Sequence, residues 1–178
     1  LEATLKDDGN FDVGAIAWSL DGNFIAVANQ GSQIQIWDVS AVLSGGTAQQ
    51  VATFENIPAN AMMWSPDSHQ IAVGVANNVV ILDATTGHAT SNLIGHEDTV
   101  IVVAWSPDGT RLASSGLDHA IRIWDVGTGE AIALILESYV IRAIAWSPDG
   151  TQLAYGSDNG SIRIIPVPVT DEVIITPP

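Results

Sequence analysis

The stretch Trp105-Ser106-Pro107-Asp108-Gly109 occurs three more times, in nearly the same form, in this chain of 178 residues. It stands as Trp18-Ser19-Leu20-Asp21-Gly22, as Trp64-Ser65-Pro66-Asp67-Ser68 and as Trp146-Ser147-Pro148-Asp149-Gly150, at spacings of 46, 41 and 41 residues. A second landmark follows each Trp by 19, 18, 19 and 19 residues, at Trp37-Asp38, Leu82-Asp83, Trp124-Asp125 and Ile165-Pro166. A period of about 40 residues held through four units marks a repeat architecture in which each unit needs its neighbours to bury its faces.

Working outward from the turn, each unit reads as four short strands. Val100, Val103 and Trp105, and likewise Ile141, Ile144 and Trp146, place apolar residues along one strand ahead of the turn. Pro at the second turn position presets φ, and Gly supplies the positive φ that a hairpin needs before the next strand. Leu112-Ala113-Ser114 and Leu153-Ala154-Tyr155 open a second strand, Ile121 to Trp124 forms a third and Ile132 to Ile135 a fourth. No segment shows helical periodicity with caps. The chain is expected to be all-β.

These repeats resemble the WD-repeat family from about Leu1 to Ile165. The resemblance implies a β-propeller of four blades over residues 1–166, each a four-stranded antiparallel sheet, followed by an extension over 167–178. It also implies a structural tetrad, complete only in the third repeat as His96, Ser114, Asp118 and Trp124. A Ser, a His and an Asp invite a catalytic reading. The structural reading is preferred, because buried polar groups left unpaired cost about 1 to 3 kcal/mol each. Elsewhere Gly9, Glu55 and Glu137 stand at the His position, and Gly31 and Asn159 replace the turn Asp in repeats one and four. Those blades are expected to be held mainly by apolar packing.

Ring closure follows the same analogy. A lone outer strand near Glu2 to Lys6 would complete the last three strands. The family most often has seven or eight blades, so an open four-blade array, with apolar side faces at both ends, points to completion by another copy or by further sequence rather than to a closed four-blade monomer. Leu1 begins in strand-like sequence without an initiator Met, which suggests a processed or partial chain. At the other end, Val173-Ile174-Ile175 reads either as an extra edge strand or as a linker, because Pro166, Pro168, Pro177 and Pro178 flank it.

Composition limits the function classes. Twenty Asp and Glu oppose five Lys and Arg, a net charge of −15, so nucleic acid and anionic membranes are disfavoured partners. Without cysteine there is no disulfide, thiol nucleophile or cysteine-zinc site, and no redox clue to compartment. Asp8, Asn10 and Asp12 alternate as in a calcium loop, but Val13 holds the glycine position and Ser19 the bidentate-Glu position. His69, His88 and His119 lie in separate turns. No metal or other cofactor is expected. Val39 to Thr47 enlarges the first repeat and reads as a flexible loop.

The loops entering each first strand lie, by family analogy, on the partner-binding face. Phe11, Ile57, Asp98 and Tyr139 align there, with Arg142 close by; the apolar ones would serve either as interface anchors or as covers folded onto the blade. The expected function is a noncatalytic scaffold for a protein or peptide. The alternative is a self-assembling structural element, a ring or filament of four-blade units.

Overall fold

The computed structural model of the chain describes residues 13–29, 32–167 and 172–175. The first sheet holds β1 (Val13–Trp18), β2 (Phe24–Asn29), β3 (Ile34–Asp38) and β4 (Gln49–Phe54). The second holds β5 (Ala59–Trp64), β6 (Gln70–Val75), β7 (Asn78–Asp83) and β8 (Ala89–Ile94). β9 (Val100–Trp105), β10 (Arg111–Gly116), β11 (Ala120–Asp125) and β12 (Ala131–Leu136) form the third sheet, and β13 (Ile141–Trp146), β14 (Gln152–Ser157) and β15 (Ile162–Pro166) the fourth. Consecutive strands within each sheet pair antiparallel.

Two sheets depart from the expected four antiparallel strands. β16 (Glu172–Ile175) runs parallel to β12 and makes the third sheet five-stranded, because the outer edge of β12 is open to a strand returning after Pro166. The fourth sheet has three strands among the described residues. Glu2 to Lys6, the segment expected to complete it, lies outside them.

Each Ser-x-Asp-Gly turn is locked by the same small network. The Ser hydroxyl donates to the Asp carboxylate at 2.5–2.6 Å in all four copies, and the Ser oxygen accepts the backbone N–H of Phe24, Gln70, Arg111 or Gln152 at 2.8–2.9 Å. The same Asp oxygen accepts a backbone N–H two residues on, at 3.0 Å each time. These bonds to the ionised form hold Asp108 and Asp149 at about 2, the Ser hydroxyl contributing most. The fourth turn position takes positive φ in every copy, including Ser68 at 61°.

The first strands β1, β5, β9 and β13 lie side by side in that order, so the sheets fan out from a shared inner edge. The core sits between neighbouring sheets. Ala26, Ala28, Ile34 and Ile36 meet Trp64, Ile71, Val73 and Leu82. Ala72, Val79, Ile81 and Leu93 meet Val100, Val103, Trp105 and Leu112, and Ala113, Ile121, Ile123 and Ile135 meet Ile141, Leu153 and Tyr155. Among the described residues no strand pairing joins the fourth sheet to the first. The segment expected as a flexible loop is tied down instead: Val39 is buried and packs with Ile25, Val27 and Trp37, Val42 packs against that cluster, and Val42–Ser44 forms a 3-10 turn. Its valines supply apolar surface that a Ser- and Gly-rich reading undervalues.

Candidate functional site

In the third blade the structure brings His96, Ser114, Asp118 and Trp124 together. His96 Nδ1 lies 2.8 Å from Asp118 Oδ2, His96 Nε2 lies 2.8 Å from Ser114 Oγ, and Trp124 Nε1 donates to the same Ser114 oxygen at 2.8 Å. Burial holds the His96 pKa below its ordinary value, and the nearby Arg122 guanidinium acts in the same direction, against the attraction of Asp118. A neutral ring then donates from Nδ1 to Asp118 and accepts the Ser114 hydroxyl at Nε2. One chain of bonds runs from Trp124 through Ser114 and His96 to Asp118, with no donor left over. Asp118 also accepts the backbone N–H of Glu97 at 3.0 Å and so fixes the loop into β9. Gly116 is needed beside it, because a Cβ there would stand 2.7 Å from Asp118 Oδ1 and 3.0 Å from His96 Nδ1.

The order Ser–His–Asp matches a nucleophile, its base and an orienting acid. The surroundings do not. Ser114 is fully buried, its oxygen is already held by the Trp124 indole, and His96 lies beneath the blade surface. A substrate carbonyl has no approach to that hydroxyl.

The blades that lack this tetrad are not held by apolar packing alone. In the fourth, Tyr155 occupies the Ser114 position and donates its hydroxyl to Glu137 Oε1 at 2.6 Å; Glu137, at the His96 position, also lies 3.7 Å from Arg163 Nε. In the first, Trp37 donates its indole N–H to the buried Gln35 side chain at 3.1 Å, and the Asn29 side chain bonds Gln33. A buried polar site can be filled by other residue types if each donor meets an acceptor, and matching one His-Ser-Asp-Trp pattern misses them. In the second blade Val73 and Leu82 make the Ser114 and Trp124 positions apolar, and Glu55, at the His96 position, accepts the Gln33 side-chain amide at 2.9–3.0 Å.

Ile57, Asp98 and Tyr139 all lie in loops entering first strands, at one end of successive blades. Ile57 is half-buried and packs against the core between the first two blades, its N–H donating to Ser32 O at 2.7 Å, so it covers the blade more than it projects. Asp98 is exposed and accepts the Thr99 N–H at 2.6 Å. Tyr139 is exposed, and Arg142 forms a two-pronged exposed pair with Asp158, at 2.8 and 3.0 Å. This pair holds the Asp158 carboxyl below its ordinary range. Phe11 and the Asp8, Asn10 and Asp12 set lie outside the described residues. His69, His88 and His119 are exposed and far apart in sequence, and among the described residues no three His, Asp or Glu side chains group as metal ligands.

Two features of this end were missed in the sequence. Every first strand carries a β-bulge four residues before its Trp, at Gly14, Asn60, Ile101 and Arg142. A bulge adds an unpaired residue and re-aims its side chain, which accounts for the outward Arg142. Gly14 and Asn60, with Asn29, Pro58 and Ala59, line a cleft of about 340 Å³ between the first two blades. The residue types at the bulge differ in all four copies, so only the odd spacing of Val100 and Val103, both turned to the core, could have signalled it. Leu117 is also exposed at this end, in the turn between β10 and β11.

The family model described as WD domain, G-beta repeat matches residues 1–38, 87–125 and 135–165. Comparison with curated proteins found no match.

Proposed function

The chain belongs to the WD-repeat family, whose repeats generally mediate protein–protein interaction and are typically noncatalytic, and from this premise we propose that it is a noncatalytic scaffold binding a protein or peptide at the loop-bearing end of its blades. The observation that carries this reading is that the fourth blade exposes, three residues apart in sequence, the Tyr139 ring, 44% exposed, and the guanidinium of Arg142. An aromatic anchor beside an oriented arginine is the combination that dominates interface energetics. Asp158 holds Arg142 in place before any partner arrives, which lowers the entropic cost of using it. With a net charge of −15, the favoured partner is a peptide segment whose basic side chains pair with the acidic rim at Asp98 and Glu97, while it sets an apolar residue on Tyr139 and offers a carboxylate to Arg142.

Selection from a displayed peptide library, followed by calorimetry, tests this. Tyr139→Ala and Arg142→Glu are each expected to weaken the selected peptides by at least about 10-fold without lowering the melting temperature, as both side chains are exposed. Peptides that bind both variants as tightly as the parent would place the site elsewhere. Self-association is a second reading, favoured by the apolar side faces left open on the first and fourth blades.

A further inference from the structure

Three blade junctions inside the chain share one plan, and one of them is left unfilled. At each, the Trp that ends a first strand donates its indole N–H to the carbonyl of the residue before the previous blade's Trp: Trp64 to Ala17 at 3.1 Å, Trp105 to Met63 at 3.2 Å and Trp146 to Ala104 at 2.9 Å. Two further side chains close the slot at that ring, one six residues after the previous Trp and one just after the third strand of the following blade. Between the second and third blades Gln70 reaches outward to Thr90 at 3.4 Å, and Val126 packs against the core there. Between the third and fourth the Arg111 guanidinium lies 5.1 Å from the Trp146 ring centre and donates to the Gly150 carbonyl at 2.9 Å, and Val167 is buried in that core.

Between the first and second blades neither closure is made. Phe24 stacks on Trp64, centroids 6.1 Å apart, and Ala84 stands in the place of Val126 and Val167. All three of those residues hang from the same backbone bond, to the carbonyl of His69, Thr110 or Thr151 at 2.9–3.0 Å, so the difference is one of side-chain volume. What remains is a cavity of about 390 Å³ walled by Phe24, Ile36, Ala52, Trp64 and Ala84. Both walls belong to four-stranded sheets. Carboxylates stand around its rim, at the turn end of the blades. The Asp21 N–H donates to Ser68 Oγ at 3.2 Å, while Asp67 and Asp83 accept the N–H of His69 and Thr85 at 3.0 Å; Ser68, His69 and Thr85 all line the cavity. Hydrogen bonds hold the three acids below their ordinary range, chiefly from the Ser19 hydroxyl to Asp21, the Ser65 hydroxyl to Asp67 and the Thr86 N–H to Asp83. Among the described residues lining the cavity there is no Lys or Arg, and the one basic ring is His69. Each acid is engaged in its own turn, so the three surround the rim and do not converge as metal ligands would.

We propose that this cavity binds a small organic cation, whose apolar ring enters between Phe24, Ile36 and Trp64 and whose ammonium group stays at the anionic rim. An apolar cavity of about 150 Å³ takes up benzene, so this one has room for a ring and a short arm. Burial of the ring supplies the drive, and the few polar groups at the mouth decide which ligands qualify. Three carboxylates with no Lys or Arg among them draw a cation in and turn an anion away. The site goes beyond the peptide-binding reading and does not depend on it, as Tyr139 and Arg142 lie at the opposite end of the blades.

Titration of the full chain with phenylpropylammonium, read by NMR at the indole N–H groups at about pH 8 and low salt, tests the site. The Trp64 signal should move and the Trp146 signal stay, with a Kd below about 1 mM for a ligand of this size. Phenylpropanol, which lacks the charge, is expected to bind at least about 5-fold more weakly and phenylpropanoate not at all, and added salt should narrow the gap between ammonium and alcohol. Ala84→Val fills the slot with the side chain that two other blades carry there. It should weaken the ammonium by at least about 10-fold while the melting temperature holds or rises. Asp83→Asn keeps an acceptor for the Thr86 N–H but removes a charge, and should lower the preference for ammonium over alcohol without changing the alcohol's Kd. The proposal is overturned if ammonium and carboxylate bind alike, if Trp146 moves as much as Trp64, or if Ala84→Val binds like the parent or melts below it. Tyr139→Ala should leave ammonium binding unchanged, which separates this outcome from that of the loop-end site.

Discussion

Ser114→Ala removes one oxygen from the fully buried centre of the third blade. That oxygen takes the Trp124 indole N–H at 2.8 Å and its hydroxyl serves His96 Nε2 at 2.8 Å, so the substitution strands a donor and an acceptor where no water reaches. Each of the two stranded groups costs about 1 to 3 kcal/mol, which gives roughly 2 to 6 kcal/mol in all. For a domain of this size, at about 2 to 4 °C per kcal/mol, that lowers the melting temperature by roughly 4 to 24 °C. Ser115→Ala is the internal control. Ser115 is equally buried but makes one bond, to the Ile141 carbonyl at 3.1 Å, and its loss should cost about 1 kcal/mol. Urea denaturation of both variants, followed by circular dichroism at pH 7.5, measures the difference. If Ser114→Ala proved no more costly than Ser115→Ala, the bond chain from Trp124 to Asp118 would not be what holds this blade.

Further outcomes follow from the same geometry. Because burial holds the His96 pKa below 6.5, the unfolded chain binds a proton that the folded chain does not; stability should fall as pH drops below 6.5, by at most about 1.4 kcal/mol per pH unit, and level off below the folded value. Asp108 and Asp149, at about 2, act in a separate window: their contribution is complete above 3.8 and is lost as pH falls towards 2, so urea melts across pH should show two declines, not one. Tyr155→Phe deprives the largely buried Glu137 carboxylate of its 2.6 Å donor and should cost about 1.5 to 3 kcal/mol in urea melts; a neutral result would mean that Arg163 alone satisfies Glu137. Ser68→Gly relieves a positive φ of 61° at the turn position that holds Gly in the other three copies, and should stabilise by about 0.5 to 1 kcal/mol, less whatever the 3.2 Å bond from the Asp21 N–H contributes.

The blades were legible in the sequence because their turns are chemically redundant. Ser, Asp and Gly each answer a separate requirement of one hairpin, and four copies at a near-constant spacing leave little room for another fold. Tetrad contacts at His96, Ser114, Asp118 and Trp124 were traceable for the same reason, as all four residue types stand at their places. What was not legible depends on backbone geometry or on unlike residues doing one job. The bulge at Gly14, Asn60, Ile101 and Arg142 has no residue signature. Tyr155 with Glu137 replaces Ser with His by a different pair of side chains. The Trp64, Trp105 and Trp146 bonds end on backbone carbonyls, which carry no sequence mark; Val173 to Ile175 was readable as an edge strand, with a linker as the alternative, but its pairing with β12 is made by backbone groups that hydropathy does not reveal.

Whether one junction repeats at every blade boundary is tested most directly by hydrogen exchange of the six indole N–H groups, read by NMR. At concentrations where the chain is monomeric, five should exchange slowly. Trp64, Trp105 and Trp146 are held by the preceding blade, and Trp37 and Trp124 within their own, while Trp18, 62% exposed, should exchange fast. Fast exchange at any of the three junction tryptophans, with Trp18 no less protected than they are, would contradict the stacked-blade arrangement.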